Sequence, residues 1–496
     1  MYYKSTRNGE LRIKSANAIA QGISEDGGLF VPCEIPALTE DEIKALADKT
    51  YAERAKFVFG KYLTDFTDAE IAKCVDGAYN TKNFETENIA ELSKIFDSQY
   101  ILELWHGPTC AFKDMALQIL PYFLVESSKK SGDGKETVIL VATSGDTGKA
   151  ALEGFKDVEG VRIIVFYPED GVSDMQKRQM ATQEGKNVDV CAIKGNFDDA
   201  QSGVKAIFTD ASVKAALAKN NMQFSSANSI NWGRLAPQIV YYVSSYAELL
   251  KKGEIEFGEK LNIVVPTGNF GNILAAYYAK KMGVPLGKLI CASNANNVLT
   301  DFINTGVYDR NREFYQTISP SMDILISSNL ERLLFDMCDE NDSVIKDYFG
   351  KLASDGKYEV NDAIKAKLSA EFYAGCCNDE KTKATIKRYF NDYGYLCDTH
   401  TAVALSVYDE YKSKTGDTAK TVIASTASPY KFAPSVLEAI AGKAEAEDPF
   451  AQLAELNAKS GLAIPEGLAG LKDKEVRFKD SIDKSDMTSY ILNILK

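Results

Sequence analysis

The sequence predicts an α/β fold built on parallel β-sheet, and two observations carry the prediction. From about residue 90 onward, short runs rich in Val and Ile alternate with helical stretches: TVILVAT, VRIIVFYP, VDVCAIKG, LNIVVPT, KLICASN and KTVIAST. Such runs are apolar on both faces, as strands covered by helices on each side must be. The second observation is where the unusual residues fall. Turns rich in Gly, Ser and Thr follow directly on several of these runs, and in parallel sheets ligands gather beyond the strand carboxyl ends.

At 496 residues the chain exceeds one compact core, so two or three domains are expected. A hydrophobic share of 45% and a charged share of 26% are those of an ordinary globular protein. The net charge of −13, with no basic block, argues against nucleic acid as a partner. A small anion remains compatible, because local donors outweigh a distant field. Nine cysteines form no C-x-x-C pair, and only Cys376 and Cys377 are close. That excludes a disulfide framework and a zinc site, and implies reduced thiols. No metal is expected. The opening MYYKSTRNGE lacks an apolar core and no run is long enough to span a bilayer, so a cytoplasmic protein without membrane contact is expected. With only His106 and His400, a Ser-His-Asp hydrolase is disfavoured. His106 reads as a hydrogen-bonded turn histidine and His400 as a buried histidine at a helix start.

Taken in order, residues 1–85 carry a loop-rich opening and helical patterns such as TEDEIKALADKTYAERAKFVFGKYL. In HGPTCAFKDMA, Lys113 lies in a Gly-Pro turn between the strand pattern SQYILELW and the apolar helix pattern KDMALQILPYFLVES. Most lysines sit on solvated faces; this one lies between buried elements.

TVILVATSGDTGKAALEGF is a strand–turn–helix unit with Ser144, Gly145, Asp146, Thr147 and Gly148 in its turn. A P-loop is rejected: Thr143 stands where the first glycine belongs and Ala150 where Ser or Thr should bind Mg²⁺. The turn offers hydroxyls and helix amides to a small carboxylate; alternatively Asp or Thr simply caps the helix. NSINWGRLAPQ combines Asn228, Asn231, Trp232 and Arg234, groups suited to a substrate wall, although an arginine is more often a surface ion-pair residue.

LNIVVPTGNFGNILAAYYAKKMG runs a buried strand through Gly268, Asn269, Phe270, Gly271 and Asn272 straight into a helix. Glycines admit close approach, the first helix amides are unpaired, and a phosphate is the natural occupant. A plain turn is the competing interpretation. The dinucleotide fingerprint G-x-G-x-x-G is not met, which disfavours NAD. KTVIASTASPYKFAP ends a strand in Ser425, Thr426, Ala427 and Ser428, hydroxyls that serve a ligand or a turn.

A lysine in a buried turn, a glycine-rich phosphate cup and a hydroxyl at another strand end together describe pyridoxal 5'-phosphate. Its aldehyde condenses with an amine, its phosphate sits on a helix start and its ring nitrogen needs a partner. An ordinary lysine is neutral at pH 7 in only roughly one molecule in 2,500; burial raises that fraction.

These segments resemble the threonine synthases, fold-type II pyridoxal-phosphate enzymes. The likeness spans nearly the whole chain: YKSTRNGELRIKSANAIAQGISEDGGLFVP at the start, then HGPTCAFKD, ATSGDTGKAA, IKGNFDDAQ, NSINWGRLAPQ, SPSMDILISSNLERLLF, DTHTAVA and STASPYKF in the family's order. The resemblance implies a tryptophan-synthase-β-like body of two lobes at residues 86–440, the smaller at roughly 130–215. It also implies an extra amino-terminal domain at 1–85, and residues 441–496 form a helical segment packing on the body. It makes Lys113 the Schiff-base lysine, Gly268 to Asn272 the phosphate cup and Thr426 the partner of the ring nitrogen. The SGDTG turn, Ser144 to Gly148, would take the substrate's α-carboxylate. Asn231 and Arg234 would line the substrate, and Lys177 is a further candidate for its phosphate. The implied reaction turns O-phospho-L-homoserine and water into L-threonine and phosphate, in a monomer or homodimer; the alternative is a related lyase or dehydratase acting on another hydroxy or phosphorylated amino acid. Three positions depart from the family pattern: Asn272 replaces a common Asp, Cys110 an apolar residue and Thr399 a common Pro.

Overall fold

The computed structural model describes residues 1–96, 98–132, 134–143, 145–169 and 172–495. The chain opens with an antiparallel sheet in which β1 (Tyr2–Ser5) lies between β2 (Asn8–Lys14) and β3 (Phe30–Pro32). Helices Tyr51–Tyr62 and Asp68–Ala78 follow. Each starts at a threonine whose hydroxyl accepts an amide three residues on while that Glu side chain answers: Thr50 with Glu53, and Thr67 with Glu70. Tyr3 and Tyr62 each meet the Trp232 ring edge-on at 5.4 Å, which seats this segment on the body.

The antiparallel pair β4 (Glu91–Phe96) and β5 (Gln99–Glu103) comes next. Then follow β6 (Glu136–Ala142), β7 (Val161–Pro168), β8 (Val188–Lys194) and β9 (Met222–Ser225). The rest of the chain supplies β10 (Leu261–Pro266), β11 (Leu286–Ser293) and a small antiparallel pair, β12 (Val307–Asp309) with β13 (Lys357–Glu359). It ends with β14 (Phe372–Cys376), β15 (Thr421–Ser425) and β16 (Ser481–Asp483).

The six apolar runs all form strands, and they divide three and three between two sheets. The larger sheet has the order β14-β11-β10-β15-β5-β4 and is parallel except for β4. The smaller, β16-β8-β7-β6-β9, is parallel throughout. Every residue of β10 and β15 is buried, the consequence of helices on both faces. Helix Trp232–Lys251 leaves β9 of the small sheet, is buried over nearly its whole length, and delivers the chain to β10 of the large one.

The carboxy-terminal segment does more than add helices. It supplies β16, a parallel edge strand beside β8, and helix Met487–Ile494. Met487 and Ile491 of that helix join Val138, Leu140, Ile164 and Phe166 in the core of the small sheet. Each such buried side chain contributes about 1.5–3 kcal/mol. A three-residue strand is too short for periodicity to reveal. Among the described residues, no helix is long and apolar enough to cross a membrane, and no His/Cys/Asp/Glu group could hold a metal.

Candidate active site

Four of the turns singled out in the sequence leave the carboxyl ends of strands. The Lys113 turn follows β5, the SGDTG turn follows β6, Gly268 to Asn272 follow β10, and Thr426 follows β15. In the large sheet β10, β15 and β5 are consecutive neighbours, so three of these turns are adjacent by topology alone. The Lys113 turn is pinned to the Thr426 turn, since the Phe112 amide donates to the Thr426 carbonyl at 2.8 Å.

The neighbouring carboxylate of Lys113 in sequence is not its partner in space. Asp114 turns back onto its own loop, accepting from the Thr109 amide at 2.8 Å and the Thr109 hydroxyl at 2.7 Å. Burial pushes its carboxyl up to about 6. Gly107 lies against Asp114 so closely that a Cβ would meet it at 2.6 Å, which is why the turn needs glycine there. The carboxylate that faces the lysine is Asp146, with Oδ2 at 3.9 Å from Nζ. Nζ also donates to Oγ of Ser321 at 3.3 Å and lies 5.1 Å from the Phe112 ring centre. Burial pushes this amine below the ordinary lysine range; Lys431 and Arg234 add to that, while Asp146 works against it.

Asp146 itself is held by more than Lys113. Lys431, on the turn after β15, reaches Oδ1 at 2.7 Å, and Gln176 donates to the same oxygen at 3.0 Å. Burial opposes its charge, yet Lys431 and Lys113 hold the carboxyl far below its usual range. Lys431 also donates to the Thr109 carbonyl at 2.9 Å. Sequence reading passed over both Lys431 and Ser321, because neither lies on a periodic element.

The cup opens helix Gly271–Lys281, and Phe270 precedes it in the left-handed conformation, with φ 62° and no side-chain cap. Among the described residues, the amides of Gly271, Asn272 and Ile273 find no protein acceptor. Asn272 takes the Tyr241 hydroxyl on Oδ1 at 2.8 Å, and that of Tyr242 too, but its buried Nδ2 has no partner. The glycine at 268 serves a purpose the sequence does not reveal. A Cβ there would lie 2.8 Å from the Ser321 carbonyl oxygen, so a larger residue displaces the Ser321 loop rather than only crowding a ligand. Ser327 Oγ and the Asn329 amide, donating to the carbonyls of Gly268 and Asn269 at 2.8 and 3.2 Å, hold that loop on the cup.

At the end of β15 two adjacent hydroxyls differ. Ser425 Oγ is engaged by Trp105 Nε1 at 3.0 Å and by Thr401 Oγ1 at 3.1 Å. The Thr426 hydroxyl meets no protein partner among the described residues.

The SGDTG turn is shaped by Thr143, whose hydroxyl accepts the amides of Gly145 and Gly148 at 3.0 and 2.9 Å. Gly145, at φ 140°, has Gln176 where a Cβ would be, and through the Gly148 amide the Thr143 hydroxyl takes up one of the first amides of helix Asp146–Phe155. The capping alternative is met in part: a threonine just ahead of the turn, Thr143, accepts the Gly148 amide. Thr147 is half-buried beside Asp146, and Ser144 lies outside the described residues. Asn231 is spent on structure. Both its Nδ2 hydrogens donate to carbonyls, of Ile19 and Ser226, and Oδ1 caps helix Trp232–Lys251, which leaves no donor for a substrate. Arg234 is not a surface ion-pair residue: it is buried, donates from Nη1 to the Ala227 carbonyl at 2.6 Å, and has a buried Nε with no partner among the described residues. Burial lowers its pKa to about 10. Lys177 is half-buried on helix Asp174–Ala181. His106 is the turn histidine expected, between Glu103 at 2.9 Å and Glu85 at 3.6 Å, and His400 is buried at a helix start.

Residues 2–79 match the family model "Threonine synthase N terminus", residues 78–348 the model "Pyridoxal-phosphate dependent enzyme", and residues 401–491 the model "Threonine synthase, C-terminal". Threonine synthase from Saccharomyces cerevisiae is 35% identical over 468 residues, covering 89% of each chain. The chain belongs to the threonine synthase family. The threonine synthase from Pseudomonas aeruginosa is 36% identical over 90% of this chain and 92% of its own. Among solved structures, the pyridoxal-phosphate-bound threonine synthase from Brucella melitensis aligns with a TM-score of 0.88 at 33% identity, over 100% of this chain and 98% of that one. Human threonine synthase-like 1 is 40% identical over 97% of this chain, which spans only 65% of that protein's length. Lys113, Asp146 and the cup fall within the match to the pyridoxal-phosphate-dependent enzyme model, and Thr426 and Lys431 within the match to the threonine synthase C-terminal model.

Proposed function

We propose that this protein holds pyridoxal 5'-phosphate on Lys113, the cup Gly268 to Asn272 and Thr426, and converts O-phospho-L-homoserine and water to L-threonine and phosphate. The observation that carries the proposal is the environment of the Lys113 amine. It is lowered by burial, aimed between Asp146 and Ser321, and flanked by a cup of unpaired amides and one orphaned buried donor, Asn272 Nδ2. Those donors suit a phosphate at a helix start, and the unpaired Thr426 hydroxyl suits a ring nitrogen. When bound, the cofactor supplies an electron sink that acidifies the substrate Cα–H.

The chain's own groups do the rest. Lys113 Nζ, whose hold on a proton burial weakens, takes the proton from Cα of the amino acid and acts as the acid–base group at the neighbouring carbons. The Asp146 and Thr147 amides, which meet no protein acceptor among the described residues, receive the α-carboxylate. That is possible beside Asp146 because Lys431 neutralises it. Arg234, buried without a carboxylate partner, offers its charge to the phosphate ester. Phosphate leaves from Cγ, and water supplies the hydroxyl at Cβ. The hydroxyl of Thr426 gives the ring nitrogen a neutral partner.

The decisive test is incubation of the purified protein with O-phospho-L-homoserine, following phosphate and threonine together. Equimolar release of both supports the assignment. Phosphate release without threonine, or turnover only of serine or threonine, overturns it.

A further inference from the structure

Ser321 touches two parts of the site, although it is remote from both in sequence. It lies in the short turn Pro320–Met322. Its hydroxyl accepts from Lys113 Nζ at 3.3 Å, and its carbonyl packs on Gly268 of the cup. What holds that turn is a histidine. The Ser321 amide donates to Nε2 of His400 at 3.1 Å. Since Nε2 accepts, the ring proton belongs on Nδ1, which donates to Oδ2 of Asp398 at 2.7 Å. Asp398 is fully buried and is itself fixed, accepting from the His400 amide at 2.8 Å, the Thr401 amide at 3.1 Å and the Thr401 hydroxyl. The Phe432 ring, 4.9 Å from the imidazole, covers the array.

We propose that Asp398, His400 and Ser321 form a positioning array for the amine of Lys113. Asp398 fixes the tautomer and plane of His400, His400 pins the Ser321 turn, and Ser321 Oγ holds one N–H of the lysine. With that hydrogen held, the nitrogen lone pair points in a defined direction. The same turn carries the Ser321 carbonyl onto Gly268, so amine and cup are set relative to one another by a single imidazole. His400 and Asp398 touch neither reacting atom; they are positioning residues. The inference rests on the assignment of Lys113 and the cup as the cofactor site.

The experiment uses holoenzyme carrying His400→Leu, His400→Gln or Ser321→Ala. The first readout is the pH titration of the bound cofactor's visible absorbance, which reports protonation at the Lys113 nitrogen. The second is cofactor affinity by equilibrium dialysis, and the third is the separate effect on kcat and KM. The charged groups facing Lys113, namely Asp146, Lys431, Arg234 and Asp114, stay in place in all three variants. Losing the Ser321 acceptor destabilises the protonated nitrogen, so Ser321→Ala and His400→Leu should move the absorbance midpoint to lower pH. Both should lower kcat about fivefold, the equivalent of one hydrogen bond, with KM little changed. His400→Leu alone, by loosening the turn on the cup, should also weaken cofactor binding. His400→Gln, whose Oε1 restores an acceptor, should recover much of each effect. Equal midpoints and kcat in wild type, His400→Leu and Ser321→Ala overturn the proposal. So does an equal loss of melting temperature in the Leu and Gln variants with no spectral change, the mark of a histidine that only fills space. If His400→Leu does not fold, Ser321→Ala decides, since it removes one half-buried hydroxyl. A wild-type protein that carries no cofactor on Lys113 overturns the site assignment first, and this proposal with it.

Discussion

Nζ of Lys431 lies 2.7 Å from Oδ1 of Asp146, and both side chains are almost wholly buried. Lys431 follows β15 of the large sheet, while Asp146 opens the helix after β6 of the small one. One ion pair therefore ties the two sheets together, a single contact away from the Lys113 amine. It also divides the negative charge of Asp146 between two lysines, so that Lys113 is not drawn fully into a salt bridge and its amine stays low.

Breaking that pair from one side leaves a buried carboxylate without its main counter-ion. Lys431→Met should lower stability by about 3–5 kcal/mol, read from urea unfolding midpoints. The double change Lys431→Met with Asp146→Leu should recover most of the loss, because no buried charge is then left unpaired. A cost below about 1 kcal/mol for the single change would show the pair to be incidental.

Lys113 should be the one lysine that borohydride links to the cofactor. Lys113→Ala should retain bound pyridoxal phosphate, since the amides of the cup hold its phosphate independently, yet lose activity by orders of magnitude. The fold should survive, because the amine makes one long hydrogen bond and a distant ion pair with Asp146, which keeps Lys431 as its counter-ion. Peptide mapping after reduction checks this, and a label on another lysine contradicts it.

Thr426 and Ser425 should separate function from stability. Thr426→Ala removes a hydroxyl with no protein partner, so kcat should fall about fivefold or more with little change in melting temperature. Ser425→Ala removes the partner of Trp105 and Thr401, and should cost about 1 kcal/mol of stability. Kinetics and thermal melts on the two variants test the pair; the opposite pattern would exchange their roles.

His106 gives the protein a pH-dependent term of predictable sign. Burial works against its charge, but Glu103 and Glu85 outweigh that and raise it to about 9. A histidine raised above its unfolded value of roughly 6.5 stabilises fully below that pH, and the contribution is lost as pH climbs through the folded value. Stability should fall by up to about 3 kcal/mol between pH 6.5 and 10, and His106→Gln should flatten that slope. A variant whose melting temperature keeps the wild-type pH dependence would contradict the assignment to His106.

The sequence alone determined the long apolar strands, the parallel class of fold and the turns at the carboxyl ends of those strands. Strands such as β10 and β15 are legible because burial on both faces forces a continuous apolar run. The cup is legible because a strand entering a helix through Gly268 to Asn272 has few other conformations to adopt. Tertiary structure decided which groups meet. Lys113 has Asp114 beside it in the chain, but consecutive residues at a helix start point in different directions. Asp114 is therefore spent on Thr109, and Asp146 arrives from the other sheet. Asn231, polar and well placed in its motif, proved to be a helix cap, because an amide at a helix start is claimed first by unpaired backbone groups. Lys431 and Ser321 lay inside quoted segments without being singled out, and the strand β16 left no periodicity to detect. Short turns and three-residue strands take their positions from the surfaces they pack against, and those surfaces exist only once the two sheets have come together.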